Sequence, residues 1–105
     1  MTLPYPTSRD RRSIRQHQEY RCAYCAAKCV PVYNLTYDHV VPRSIGGPNE
    51  PRNMVLCCRE CNTAKGSDTS EHWMAVAVRV LFERGEPLEW MDEFGIPWHR
   101  YVPTH

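Results

Sequence analysis

The sequence predicts an α+β fold, with a two-stranded antiparallel hairpin, a short helix after it and further helices on either side. Two C-x-x-C pairs bracket the middle of the chain. Stretches rich in β-branched and aromatic residues predict strands at 30–41 and 53–57. Apolar residues recur at helical spacing after residue 70. At 105 residues there is room for one domain, and a domain this small is expected to need a staple.

Residues 1–21 are predicted to be a basic arm followed by a helix. Two prolines in residues 1–8 predict a loose arm. The polar stretch 8–20 predicts a helix capped by Ser8 or Asp10. The basic residues of this segment suit contact with a phosphate backbone, although a solvated charged face would show the same pattern. They are Arg9, Arg11, Arg12, Arg15 and Arg21.

Charge is distributed unevenly along the chain. Residues 1–65 carry ten Lys or Arg against five Asp or Glu, whereas residues 66–105 carry three against seven. The net charge of +1 hides this asymmetry. A basic face and an acidic face favour a nucleic-acid partner, and the alternative is an accidental unevenness of surface charge.

The six cysteines can supply the staple as disulfides or as metal ligands. The N-terminal residues lack the apolar core of a signal peptide, and no apolar run is long enough to span a bilayer. We therefore expect a cytoplasmic chain without a membrane partner. In that reducing setting, paired C-x-x-C units indicate metal rather than disulfides.

The spacing of the cysteines predicts one structural zinc ion. Two C-x-x-C knuckles supply four thiolates, which satisfy Zn²⁺ completely and leave no open position for catalysis. Cys29 and Cys57 stand close to the knuckles and are alternative ligands, but only the register Cys58 with Cys61 gives a two-residue gap. Cys57 is interpreted as a small buried apolar residue. The predicted ligands are Cys22, Cys25, Cys58 and Cys61.

The region between and after the knuckles alternates strands with turns. A strand or hairpin is predicted over 30–41, and the prolines and glycines of 42–52 predict an irregular loop. A second strand is predicted at 53–57. A short helix at 62–65 is expected to stop at Gly66.

A helical extension is predicted over residues 67–105. Asp68 and Glu71 have the spacing of a capping box, and Gly85 stands where a helix C-cap glycine belongs. A second short helix is predicted over 87–94. The apolar stripe of the first helix is expected to pack on the core, a dimer contact being the alternative, and it consists of Trp73, Val76, Ala77, Val80 and Leu81.

Polar residues of this central region follow a distinctive order over residues 20–66. They are Asp38-His39, Gly46-Gly47, Asn53, and Asn62 followed by Lys65. In type, order and spacing this pattern resembles the HNH endonucleases, here as a His-Asn-Asn variant because Asn62 stands where the family often has His. The resemblance implies the ββα-metal (His-Me finger) fold and metal-dependent hydrolysis of DNA phosphodiester bonds, leaving a 3′-hydroxyl and a 5′-phosphate.

The resemblance also implies roles that fit the chemistry of the residues. His39 suits the general base, because a neutral imidazole accepts a proton near physiological pH. Asp38 and Asn62 offer oxygen ligands for a single catalytic Mg²⁺ or Mn²⁺. Asn53 is expected to hold the loop by bonding backbone, and Gly46 and Gly47 to let it turn. Asp38 and His39 are neighbours, so they can share one phosphate only where the strand ends or twists.

Double-stranded DNA is the expected partner, held largely through its backbone. Lys65 lies three residues after Asn62 on the same helical face, where it is predicted to meet a phosphate, with an ordinary exposed lysine as the alternative. Residues 67–105 are a predicted docking segment for a protein partner. The predicted nucleic-acid contacts are Lys65, Arg43, Arg11, Arg12 and Arg15.

Two other functions compete with this hypothesis. A non-catalytic zinc-knuckle module that binds nucleic acid or protein explains the cysteines and the charge asymmetry equally well, but it leaves the ordered Asp38, His39, Asn53 and Asn62 without a reason. A thiol redox or metal-handling protein leaves even more of the sequence unexplained.

Overall fold

A computed structural model describes residues 6–29 and 34–103 and confirms the α+β fold. The predicted arm at 1–5 and the predicted strand start at 30–33 lie outside these residues. Within them the helices are α1 (Ser8–His17), α2 (Arg59–Lys65) and α3 (Glu71–Glu83), and the strands are β1 (Leu35–His39) and β2 (Met54–Cys58). Short 3-10 helices lie at Arg43–Ile45, Pro51–Asn53, Glu89–Phe94 and Trp98–Tyr101. Over the described part of the chain, no helix is long and apolar enough to cross a membrane.

The two strands form one antiparallel hairpin whose register places Asp38 opposite Val55 and His39 opposite Met54. Every residue of β2 is buried, because helices pack on both of its sides. Met54 belongs to a small hydrophobic cluster with Ile14 of α1, and Val55 belongs to a larger cluster with α3. The sheet therefore lies at the centre of the molecule.

Helix α1 begins one residue before the predicted caps. Thr7 is the N-cap, and its hydroxyl accepts a hydrogen bond from the backbone N–H of Asp10 while the Asp10 carboxylate accepts one from the backbone N–H of Thr7. This is a reciprocal capping box, so Asp10 contributes from the third helical position rather than as the cap. After the helix, the Gln18 side-chain amide pairs with both the N–H and the carbonyl of Leu56, which ties α1 to the outer edge of β2.

Helix α3 differs from the prediction at its start and on its apolar face. Ser70 is the N-cap, and Asp68 accepts a hydrogen bond from the Ser70 backbone instead of capping the helix. Val76 is 38% exposed, because the buried face is shifted by one position from the predicted stripe. Gly85, at φ +84°, follows the helix end as predicted. The buried residues of α3 are Met74, Ala77, Val78 and Leu81.

The C-terminal segment is held to the start of β2 by Arg84. Its guanidinium donates to the carbonyl oxygens of Pro51 and Met54, each at 2.7 Å, and pairs with Glu86 at 2.9 Å. The guanidinium is largely buried, with 6% of the side chain exposed. The end of α3 is therefore fixed to the segment that begins β2.

The loop between the strands is more regular than predicted, because two 3-10 turns occupy part of it. Gly46 has φ +99°, a conformation that other residues rarely adopt. Gly47 donates to the Pro42 carbonyl at 2.9 Å, and a Cβ placed on Gly47 would lie 1.9 Å from the Val41 carbonyl oxygen. The pair of glycines thus lets the loop fold back against the end of β1.

Candidate active site and metal centre

The four predicted cysteine ligands come together although the two knuckles are far apart in the chain. The sulfur atoms of Cys22, Cys25, Cys58 and Cys61 all lie within 4.8 Å of one another. The Sγ atoms of Cys25 and Cys58 are 3.8 Å apart. Tetrahedral zinc with Zn–S bonds of about 2.3 Å places its sulfur ligands about 3.8 Å apart. The cluster therefore has the dimensions of a four-thiolate metal site.

Each knuckle folds its backbone toward its first cysteine. The Cys22 sulfur accepts N–H bonds from Tyr24 and Cys25, and the Cys58 sulfur accepts one from Cys61. Cys58 is also the N-cap of α2, so the second knuckle and the helix start together. Backbone donors of this kind stabilise the thiolate form that binds metal.

The two remaining cysteines stand outside the cluster. Cys29 and Cys57 are fully buried. Burial raises the pKa of Cys29 to about 11 and that of Cys57 to about 12. Both thiols are protonated at neutral pH and pack as small apolar groups, as the sequence suggests for Cys57.

A cleft of about 260 Å³ opens beside the end of β1 and the end of α2. It brings together Asp38, His39, Asn62 and Arg43 of the predicted site. The adjacent Asp38 and His39 both reach it because β1 ends at His39. The residues that line the cleft are Tyr37, Asp38, His39, Pro42, Arg43, Ser44, Asn62, Gly66 and Ser67.

Asp38 is held between two donors in the interior. Its Oδ2 atom accepts a 2.5 Å hydrogen bond from the Tyr24 hydroxyl and lies 3.1 Å from the Lys65 ammonium, and Oδ1 lies 3.4 Å from the same nitrogen. Burial, followed by the charge of Asp38, raises the pKa of Tyr24 well above its usual range. The Tyr24 hydroxyl therefore stays protonated and acts as the donor.

The structure corrects the prediction that Lys65 meets a DNA phosphate. The Lys65 side chain is fully buried, because α2 packs this face against β1. Besides Asp38, its ammonium donates to the carbonyl oxygens of His39 at 3.3 Å and Val40 at 3.2 Å. All three N–H donors thus have partners inside the protein, and the alternative of an exposed lysine is equally wrong.

We expect Lys65→Met to lower the free energy of unfolding by about 3–5 kcal/mol, because it leaves the buried Asp38 carboxylate unpaired. Urea unfolding of the metal-loaded protein measures this. The double variant Asp38→Asn, Lys65→Met removes both charges and should be more stable than Lys65→Met alone. A loss below about 0.5 kcal/mol for Lys65→Met, the usual effect of a surface substitution, would contradict the buried pair.

His39 is held by a residue of the loop. The His39 Nε2 atom lies 2.8 Å from the side-chain oxygen of Asn49. An amide oxygen only accepts hydrogen bonds, so Nε2 is the donor, and in the neutral imidazole the lone pair then lies on Nδ1. His39 is half-buried and lines the cleft.

Two asparagines hold the walls of the cleft in different ways. Asn53 is fully buried, and its side chain bonds the Val41 N–H and the carbonyls of Val41 and Pro48 at 2.8–2.9 Å. It therefore pins both ends of the loop. Asn62 donates its Nδ2 to the Thr36 hydroxyl at 3.0 Å, which leaves its amide oxygen as the acceptor that can serve a ligand.

The predicted arginines differ in their relation to the cleft. Arg43 is exposed and lines it. Arg15 donates to the hydroxyl of Tyr37, a cleft residue, at 2.8 Å. Arg11 donates to the Pro6 carbonyl, and Arg12 is exposed on α1 without lining the cleft. Their contacts with DNA stay predictions, as does a protein partner on residues 67–105.

Three residues of the site were not among the sequence predictions. Tyr24 and Asn49 fix Asp38 and His39, and Tyr37 forms part of the cleft wall. Tyr37 precedes Asp38 in the sequence, so its place beside the site could have been predicted from that neighbour. The contacts of Tyr24 and Asn49 depend on how the knuckle and the loop pack, which spacing does not reveal.

Comparisons with known proteins point to one family. Residues 22–68 match the family described as HNH endonuclease. The chain is 32% identical over 88 residues to the CRISPR-associated endonuclease Cas9 of Corynebacterium diphtheriae, a match covering 77% of this chain and 8% of that protein. The crystal structure of the Type II-C Cas9 enzyme from Actinomyces naeslundii has a similar fold, with TM-score 0.56 and 22% identity over 99% of this chain and 12% of that one. The chain thus spans about a tenth of the length of these relatives.

Proposed function

We propose that the chain, whose residues 22–68 match the HNH endonuclease family, hydrolyses phosphodiester bonds in DNA with a single divalent cation and with His39 as general base. The observation that carries the proposal is the common cleft, which joins an imidazole, a carboxylate and an amide from separate elements. The cleft is open and polar enough to admit a phosphate. Residues of β1 and α2 supply the chemistry, and the loop supplies their support.

His39 is prepared to accept a proton from water. With Nε2 bonded to Asn49, the lone pair on Nδ1 is the available base. The His39 carbonyl is held by Lys65, so both the backbone and the ring of this residue are fixed. A base held in one orientation removes part of the entropic cost of reaching the transition state.

The donor set fits a hard divalent cation. Asp38 supplies a carboxylate whose Oδ1 has only one long contact, and Asn62 supplies an amide oxygen, which are ligands that Mg²⁺ and Mn²⁺ prefer. When bound, the cation would stabilise negative charge on the phosphate and on the leaving oxygen. Asn53 acts on the loop rather than on the reacting atoms, so we assign it a positioning role.

We assign a different ion to the cysteine cluster. Four thiolates within 4.8 Å of one another suit Zn²⁺, and a complete set of protein ligands leaves no position for substrate. The zinc would then be structural. It would fasten α2, which carries Asn62 and Lys65, to the segment that follows α1.

DNA is the proposed substrate because basic side chains lie at the cleft and on the neighbouring helix. Arg43 stands at the rim, where it can bind the phosphate next to the scissile one. Arg15 connects α1 to the cleft through Tyr37, and Arg12 extends the positive surface along α1. Such contacts bind the backbone of any sequence.

We expect nicking of supercoiled plasmid only when Mg²⁺ or Mn²⁺ is added to protein that retains its cysteine-bound ion. The Asn62→Ala variant should need roughly tenfold more cation for half-maximal rate, because it lacks one oxygen ligand. Arg79→Ala, an exposed position on α3, is the matched control and should behave as wild type.

The proposal fails if wild-type protein nicks no DNA with any divalent cation, or if it nicks equally well with none. Binding of DNA without cleavage would then support the non-catalytic module. Asn62→Ala with unchanged cation dependence would remove Asn62 from the ligand set while leaving the enzyme hypothesis in place.

A further inference from the structure

We propose that Tyr24 is a positioning residue that couples the cysteine cluster to the cation site of the cleft. Tyr24 lies inside the first knuckle, between the ligands Cys22 and Cys25, and its hydroxyl donates to Asp38 Oδ2. One side chain therefore connects the two centres directly. This inference rests on the proposed function, because it concerns the cation that Asp38 is proposed to bind.

Tyr24 is fixed at both ends. Its backbone N–H donates to the Cys22 sulfur at 3.3 Å, so the knuckle determines where the residue begins. Its ring meets the Trp73 ring edge to face, with centroids 5.1 Å apart and planes at 87°. The neighbouring Ala23 N–H donates to the Leu56 carbonyl at 2.9 Å. The hydroxyl therefore reaches Asp38 from a rigid frame.

The hydroxyl determines which carboxylate oxygen remains available. Lys65 alone does not, because its ammonium lies at similar distances from Oδ2 and Oδ1, 3.1 and 3.4 Å. Tyr24 bonds Oδ2 and not Oδ1. Rotation of the carboxylate is thereby blocked, and Oδ1 is left with the capacity to bind a cation. Partners of this kind fix the orientation of a metal-binding carboxylate.

A consequence is that the two metal sites are linked through Tyr24, so that binding at either site favours binding at the other. A knuckle that holds its ion holds Tyr24, and Tyr24 holds the Asp38 carboxylate in its binding orientation. Removing only the hydroxyl breaks this link while the ring continues to fill its place beside Trp73. The substitution Tyr24→Phe is therefore the specific test.

We expect Tyr24→Phe to weaken Mn²⁺ binding about tenfold, the usual effect of losing a partner of a metal ligand. Mn²⁺ is titrated into protein that retains its cysteine-bound ion, and the signal of free aqueous Mn²⁺ is followed by electron paramagnetic resonance. In plasmid nicking, the Mn²⁺ concentration for half-maximal rate should rise by the same factor while KM for DNA stays constant.

Tyr101→Phe is the matched control, because it removes a hydroxyl from a buried tyrosine that lies in the larger hydrophobic cluster and not at the cleft. It should bind Mn²⁺ as wild type does. Both variants are checked for one cysteine-bound ion per chain and for cooperative unfolding. If Tyr24→Phe fails that check, Tyr24→His, which keeps a ring and a donor of shorter reach, is titrated instead with the same expected direction.

Two results would overturn the inference, and they are distinguishable. If wild type binds Mn²⁺ and nicks DNA while Tyr24→Phe does both equally well, the positioning role is lost and the proposed function stands. If wild type neither binds Mn²⁺ nor nicks DNA, the proposed function is lost and the inference with it. Weaker Mn²⁺ binding in Tyr24→Phe, with unchanged binding in Tyr101→Phe, supports the coupling.

Discussion

Removing the metal ion from the four cysteines is expected to unfold the protein. Binding of structural zinc by small domains contributes about 10–16 kcal/mol at neutral pH, which is comparable to the roughly 5–15 kcal/mol of total stability typical of a domain. An ion held by the four cysteines would join residues 22–25 to residues 58–61, which lie at the turn after α1 and at the start of α2. Without it, four thiols, of which Cys25 is the exposed one, would be left crowded together.

The measurement is far-UV circular dichroism and thermal unfolding before and after dialysis against a strong chelator. The chelated protein should lose its cooperative transition, and stoichiometric Zn²⁺ should restore it. Cys29→Ala is the matched control, since it removes a buried thiol outside the cluster and should keep one ion per chain. A cooperative transition that survives complete removal of the ion would contradict a structural role.

The sequence was sufficient for those features that depend on local spacing. Two C-x-x-C pairs specify a tetrahedral site because the knuckle geometry is short and self-contained, and the four expected sulfur atoms do cluster. The end of β1 at His39 follows from Pro42 and the glycines that come after it. That end brings Asp38 and His39 to one cleft, although neighbours in a strand ordinarily point to opposite faces.

The features that spacing did not predict depend on which faces meet. Lys65 and Asn62 share a face of α2, but the sequence does not say that this face packs against β1, and the packing turns an expected DNA contact into a buried partner of Asp38. The apolar residues of α3 cover so much of the helix surface that two neighbouring faces could be buried to a similar extent. The sequence favours the face that includes Val76, whereas the structure leaves Val76 exposed.

The charge pattern has the same explanation. Lys65 was counted with the basic face of residues 1–65, yet its charge is neutralised internally by Asp38. The positive surface near the cleft therefore depends on arginines, and one guanidinium group can bind two oxygens of a phosphate at once. Of the predicted arginines, Arg43 lines the cleft and Arg15 bonds the cleft residue Tyr37, so we expect these two to make the main contacts with DNA.

His39→Ala is expected to lower kcat for plasmid nicking by about 10²–10⁴, the usual contribution of a general base, with KM for DNA unchanged. The fold should survive, because the backbone of His39 keeps its pairing with Met54 and its carbonyl keeps the bond to Lys65. Asn49→Ala should give a smaller loss in kcat, since the imidazole remains but its tautomer and orientation are no longer fixed. The graded order of these two variants distinguishes a base held by a partner from a merely structural histidine.

The experiment compares wild type, His39→Ala and Asn49→Ala at saturating Mg²⁺, with the cysteine-bound ion verified in each. A histidine away from the cleft serves as the control. His72 is exposed on α3 and contacts Ser70 and Trp73, so His72→Ala should nick at the wild-type rate. Equal nicking by wild type and His39→Ala would exclude this imidazole as the base, because alanine has no group that can accept a proton.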